Sequence, residues 1–315
     1  MRIVYDYDKR LNFVPMFNVW QHDFTASPYK EMVEKNIRIS MDAVAAFEAP
    51  EGVSLSKYSF ESDDASVHYY VISPSGNADL KRPTIFYFHG GGFICPLDVM
   101  MLNNGCFYAK HLSCNVILPE YRLVPKHPAD VMLMDCINMY KYALENANTL
   151  HIDPARIIVF GDSAGGCLAF DTVHYIKEKG LAMPKGMMLI YPVTDDDLSP
   201  YDSMNLEYAE WNKDASMHMW ELFYKAPLSS DDLRRFLIPM KAEDFSCFPK
   251  TYIEVAEFDS LKDQGKALAS KLRSAGADVS LKEIPGTYHG FDNQKDNSFV
   301  VETLDHRCKV MKDMI

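Results

Sequence analysis

Along the 315-residue chain, short apolar runs alternate with longer stretches whose apolar positions recur every three to four residues. The short runs read as buried strands and the longer stretches as amphipathic helices. Their alternation predicts a mostly parallel sheet with helices on its faces. Residues 28–47 predict a helix, with Ser27 as N-cap, Pro28 in the first helical position and Ala49-Pro50 beyond its end. Residues 53–60 and 67–72 alternate polar and apolar side chains, as the two arms of a hairpin do. Further strands are expected at 84–88, 115–118, 156–160, 187–191, 251–258 and 279–284. Helices are expected at 128–148, directly after Ser163, at 261–275 and in the tail from Phe299. The alternation fails over 195 to 235, which is acidic and aromatic, with Trp211, Trp220, Phe223 and Tyr224 and no strand signal. That stretch predicts a helical insertion between two sheet strands.

Composition narrows the function classes. Lys and Arg total 32 against 44 Asp and Glu, for a net charge of −12. Nucleic-acid binding needs clustered cations, and docking on an anionic membrane needs them too, so neither partner is expected. The 15 N-terminal residues mix polar and apolar side chains without the continuous apolar core of a signal peptide. No apolar run approaches the ~18 residues of a membrane span. The seven cysteines, Cys95, Cys106, Cys114, Cys136, Cys167, Cys247 and Cys308, are odd in number and lack zinc-ligand spacing. They are expected to be reduced, which fits a cytoplasmic protein.

Two glycine clusters carry candidate chemistry, each placed at the end of an expected strand. Gly161-Asp162-Ser163-Ala164-Gly165-Gly166 sits between a strand and a helix. A nucleophile on such a turn needs a strained backbone, and glycine two residues to either side removes the clashes this creates. The turn would expose the Ser163 hydroxyl and bring the Ala164 N–H and a helix start beside a reacting carbonyl. His89-Gly90-Gly91-Gly92 follows the 84–88 strand. A tetrahedral oxyanion needs fixed donors, and Gly91 and Gly92 would supply backbone N–H groups together with Ala164. His89 is expected to orient that loop, because it precedes the nucleophile in the chain. Neither cluster ends in the Gly-Lys-Ser/Thr of a phosphate-binding loop or has the spacing of a dinucleotide fingerprint.

Together these motifs resemble the hormone-sensitive-lipase family of α/β-hydrolases, with His89-Gly90-Gly91-Gly92-Phe93 and the Ser163 cluster as its two signatures. The segment Tyr121 to Pro128, the Glu257-to-Gly265 stretch and His289-Gly290-Phe291 also resemble that family, from about residue 28 onward. The resemblance implies an α/β-hydrolase fold, with an eight-stranded, mostly parallel sheet flanked by helices and topped by a helical cap. It implies residues 1–50 as N-terminal cap helices, 195–235 as a cap insertion, and 51–194 and 236–315 as the two parts of the core. It further implies Asp259 as triad acid and His289 as base, in the order Ser, Asp, His. Asp259 follows an apolar strand, where functional groups of a parallel sheet collect. Asp263 and Asp292 are its rivals. Among the histidines, His22 and His218 are expected in the cap, and His111, His174 and His306 in helices. Departures from the family pattern are Cys167, Glu120 and Asp292.

The expected activity is a carboxylesterase cleaving short-chain acyl esters through an acyl-enzyme, with no metal or cofactor. Alternatives on the same fold are an amidase, peptidase or deacetylase, or a protein that binds a ligand without catalysis. The expected partner is a small-molecule ester, and an exposed sheet edge would let two copies pair as a homodimer. Phe93, Tyr191, Trp211 and Trp220 are candidates for an apolar substrate pocket.

Overall fold

A computed structural model describes residues 8–11, 29–76, 80–206, 209–294 and 296–315. The expected N-cap Ser27, Pro28 and the cap histidine His22 lie outside the described residues.

Eight strands form one sheet in the order β1-β2-β4-β3-β5-β6-β7-β8. They are β1 (Val53–Ser62), β2 (Ala65–Pro74), β3 (Arg82–Phe88), β4 (Asn115–Pro119), β5 (Ile152–Asp162), β6 (Gly186–Ile190), β7 (Lys250–Ala256) and β8 (Val279–Ile284). The hairpin expected from the alternating pattern is β1–β2, and β2 also runs antiparallel to β4. All remaining pairs are parallel.

Helices cover both faces. Helices α3 (Ala129–Glu145), α4 (Ala164–Glu178) and α6 (Lys262–Ser274) pack on one side, where Phe86, Phe88, Val159 and Leu189 point. Helices α2 (Val99–Leu112) and α7 (Ser298–Lys312) pack on the other, against Ile85, Tyr87, Phe160 and Ile190. Successive strand residues thus enter opposite cores, and both are apolar. This is why the central strands read as short continuous apolar runs and not as alternating ones.

Helix α1 (Tyr29–Ala45) precedes the sheet. The 195–235 stretch holds one α-helix among its described residues, α5 (Lys213–Phe223), and 3-10 turns at Asp202–Asn205 and Asp231–Phe236. Strand β5 begins four residues earlier than expected, at Ile152, and carries Pro154. Its pairing with β3 slips between Arg82 and Thr84, opposite Ile152 and Ile157. That irregularity accommodates the proline and its polar neighbours, which hid the strand start in the sequence pattern.

Strand order reverses at β3, since β4 lies to one side of it and β5 to the other. In parallel sheets the crevice at such a reversal, beyond the carboxyl ends of the strands, is where ligands bind. Both glycine clusters, Asp259 and His289 follow the carboxyl ends of strands β3, β5, β7 and β8. Among the described residues no helix is long and apolar enough to cross a membrane.

Candidate active site

Ser163 sits on the turn from β5 into α4 with φ 53° and ψ −122°, a backbone conformation that a side chain disfavours. The turn is tight enough that a Cβ on Gly161 would stand 2.0 Å from the Gly165 carbonyl oxygen. One on Gly165 would stand 2.0 Å from the Phe88 oxygen. Both glycines are therefore demanded by close backbone approach, as the strained-turn argument requires. The Val193 N–H donates to the Ser163 carbonyl at 3.0 Å, and the Ser163 N–H to that of Ile190 at 2.9 Å.

His289, Ser163 and Asp259 come together. The Ser163 hydroxyl lies 2.9 Å from His289 Nε2, and His289 Nδ1 lies 2.8 Å from Asp259 Oδ2. Asp259 is fully buried, and its other oxygen accepts the Leu261 N–H at 2.9 Å. Burial alone would lower the imidazole pKa. The charge and hydrogen bond of Asp259 outweigh it, and the charges of Asp162 and Asp292 add to them, so the pKa is raised above 6.5. Asp263, the rival acid, instead accepts the Ser203 N–H at 2.8 Å and holds the 202–205 turn. Asp292 turns away toward Tyr191 and Arg307.

The loop after β3 lies against this turn. Gly91 and Gly92 have φ values of 107° and 61°, and a Cβ on Gly91 would meet the Cys95 backbone oxygen at 3.0 Å. His89 is buried, its pKa lowered to about 4 by desolvation, and its ring stacks on Tyr121 at 4.2 Å. Its Nδ1 lies 2.8 Å from the Gly90 oxygen, and the Tyr121 hydroxyl donates to the His89 carbonyl at 2.5 Å. His89 therefore packs beneath the loop, away from the Ser163 hydroxyl. Asp162 fits under Gly90, where a Cβ would lie 2.6 Å from its Oδ2. Burial, with the charge of Asp292 behind it, pushes the Asp162 carboxyl up to about 7.

A cavity of about 480 Å³ opens over Ser163. Gly91, Gly92, Trp211, Tyr191 and His289 line it together with Val33, Asn36, Ile37 and Ser40 of α1. Trp211 is pinned, its indole N–H donating to Ser216 at 2.9 Å and its carbonyl accepting the Ser260 hydroxyl at 2.6 Å. Two pocket candidates are corrected: Phe93 and Trp220 are buried together behind the wall, with centroids 5.8 Å apart, and do not line the cavity. The two aromatic rings pack against each other and Phe223, which sequence alone could not tell from a ligand-facing pair. Tyr191 lines the cavity by its ring, while its hydroxyl is committed to Asp292.

The resemblance implies this segment as part of a cap, but the α1 residues that face the cavity, Val33, Asn36, Ile37 and Ser40, were not named from the sequence. Val33 and Ile37 are four apart, so the sequence carries an apolar stripe, but nothing in it names the partner surface. Of the family departures, Cys167 is buried against Asp171 and the Leu237 carbonyl, and Glu120 pairs with Lys57 at 2.8 Å. Neither lines the cavity. Among the described residues, no three His, Cys, Asp or Glu side chains gather around a point that could hold a metal ion.

Comparison with known proteins adds an independent line. Residues 85–293 match a family model described as alpha/beta hydrolase fold. An α/β hydrolase of Acanthamoeba polyphaga mimivirus is 29% identical over 234 residues, covering 73% of this chain and 66% of that protein. The ethyl acetate hydrolase of Pseudomonas putida is 30% identical over 223 residues, 69% of each chain. The chain thus spans about two thirds of the length of these relatives. Among solved structures, a bacterial heroin esterase superposes with a TM-score of 0.80 at 27% identity, covering 92% of both chains.

Proposed function

The chain belongs to the hormone-sensitive-lipase family of α/β-hydrolases, serine hydrolases of carboxylic esters, and from that premise we propose that it is a carboxylesterase of short-chain acyl esters. The observation that carries the reading is the pair of contacts from His289, at 2.9 Å to Ser163 and 2.8 Å to Asp259, at the floor of the cavity. In this mechanism His289 takes the Ser163 proton as Oγ attacks the ester carbonyl. Asp259 keeps the imidazole in the tautomer with the proton on Nδ1 and stabilises the imidazolium that forms. The N–H groups of Gly91, Gly92 and Ala164 receive the oxyanion, with the first turn of α4 adding its dipole. The tetrahedral intermediate collapses, and His289 returns the proton to the leaving alcohol. Water then attacks the acyl-enzyme by the same route, freeing the acid and Ser163.

The cavity volume lies at the lower end for small-molecule sites and supports a short acyl group. Helix α1 and the 195–235 stretch act as the cap, with Trp211 closing over Gly92. An activity on ethyl acetate, as in the P. putida relative, suits that space. The unpaired cysteines support a reducing compartment such as the cytoplasm.

Purified protein assayed on p-nitrophenyl esters of increasing acyl length is expected to turn over acetate to butyrate esters well and to fall steeply beyond them. A rate that climbs to long chains would overturn the short-acyl assignment, and inactivity on all of them would overturn the esterase.

The base must be neutral, and its pKa is raised. The acid limb of kcat/KM against pH is therefore expected to rise with pH through a midpoint above 6.5. A midpoint at or below ~6 would mean that the Asp259 pairing does not dominate the imidazole in solution.

A further inference from the structure

Behind His289 lies a closed circuit of buried polar groups that the acyl-transfer steps do not use. Asp292 stands three residues past His289. Its Oδ1 accepts the Tyr191 hydroxyl at 2.5 Å, and its Oδ2 accepts Arg307 Nη1 at 2.6 Å. Arg307 comes from α7, and its Nε and Nη2 donate to Glu254 Oε1 on β7 at 3.1 and 2.6 Å. The Glu254 carbonyl in turn accepts the Tyr191 N–H at 2.6 Å, which closes the circuit. Arg307 and Glu254 are fully buried, and Tyr191 and Asp292 are each 2% exposed.

Stability alone is a poor account of such an arrangement. Removing a guanidinium and two carboxylates from water is costly, and well-packed apolar side chains of the same volume are commonly as stable. What the circuit does supply is position. It ties the ends of β6 and β7, the last helix and the loop bearing His289 to one another. The Tyr191 ring lies edge-on to the imidazole at 4.7 Å, and Tyr191 has φ 35°, which the surrounding bonds must hold.

We propose that Asp292, held by Arg307, is a positioning residue for the base. It pins Tyr191 and the 288–293 loop so that the His289 imidazole stays between Ser163 and Asp259. This rests on the acyl-transfer reading above. Around Asp292, its own loop presents Tyr288 and His289, β6 presents Tyr191, and α7 presents Arg307. Strand β3 presents Tyr87, β5 presents Asp162, and the α2 side presents Tyr108 and Asp98. Acidic groups thus outnumber the single guanidinium, and Asp292 adds to the negative potential at the imidazole.

The test uses two variants with different predicted signatures. Asp292→Asn turns an amide N–H toward one of two donors and removes a charge. Tyr191→Phe removes one hydroxyl and leaves the charge. Both are expected to lower kcat on p-nitrophenyl acetate by about 10- to 100-fold with KM within about threefold, because a displaced imidazole harms the chemistry more than binding. Titration of the His289 Nδ1 proton by NMR is expected to shift down by about half a unit or more in Asp292→Asn and to stay in place in Tyr191→Phe. If both variants keep kcat within about twofold and the midpoint is unmoved, the circuit is only structural and the proposal fails, even if melting temperatures drop. Should Asp292→Asn not fold, Tyr191→Phe decides by kcat alone. Wild-type turnover tests the esterase reading separately, and the titration needs no turnover.

Discussion

Replacing Ser163 with alanine is expected to lower ester turnover by about 10⁴-fold or more while leaving the fold intact. The hydroxyl at 2.9 Å from His289 Nε2 is the attacking group in the proposed mechanism, and nothing else in the described cavity offers an oxygen aligned with that base. Alanine keeps the Cβ, so the strained φ of 53° is neither relieved nor worsened. The residual rate should not vanish, because the proposed donors Gly91, Gly92 and Ala164 would still stabilise the carbonyl-derived oxyanion formed when water attacks. Initial rates on p-nitrophenyl acetate, with circular dichroism of both proteins, check this. A variant that keeps more than about a hundredth of the wild-type rate would mean that the nucleophile lies elsewhere.

Gly161→Ala, on a par with the same change at Gly165, is expected to be severely damaging. Its Cβ would lie 2.0 Å from the Gly165 oxygen and 2.3 Å from the Gly165 carbonyl carbon. Both are backbone atoms at the junction of β5 and α4, so no side-chain rotation relieves the overlap. The junction must open, and the Ser163 turn goes with it. The expected cost exceeds about 4 kcal/mol, the range reached by only a few mechanisms of destabilisation. Against a total stability of roughly 5–15 kcal/mol, little soluble, cooperatively melting protein should remain. Gly180→Ala is the control. It has positive φ, at 63°, which Gly161 does not, but a Cβ there meets nothing within 4 Å, so only about 1–2 kcal/mol of backbone cost is expected. If the two variants melt alike in a denaturant titration, close packing at the turn is not what glycine serves at 161.

The same contrast explains how much of the site was legible beforehand. The two glycine clusters were readable because each encodes a backbone constraint, and such constraints admit few residue types. The central strands were readable because burial on two faces leaves short apolar runs. Asp259 was preferred to Asp263 on the family resemblance and on partial residue-level grounds, since Asp259 directly follows the strand and Asp263 falls at the next helix start, where an acidic side chain suits the dipole. Phe93 and Trp220 were misplaced because an aromatic side chain has the same pattern whether it faces a ligand or another ring. Which α1 side chains face the cavity, the start of β5 across Pro154 and the Asp292–Arg307–Glu254 circuit were invisible for a different reason. Each depends on which distant segments meet, and local periodicity carries no such information.

One consequence concerns the order in which the protein is made. Ser163 and His289 are 126 residues apart in the chain, and Arg307, on α7, holds the loop that presents His289. The Ser163 turn and the Gly91–Gly92 loop can be synthesised and folded on β3, β4, β5 and β6 while the proposed base is still untranslated. A ribosome paused before α7 would therefore carry a chain with its serine in place and no competent partner for it. On the proposed mechanism, such a nascent chain would stay chemically silent until α7 has emerged and docked, so hydrolysis would begin in one step and not gradually.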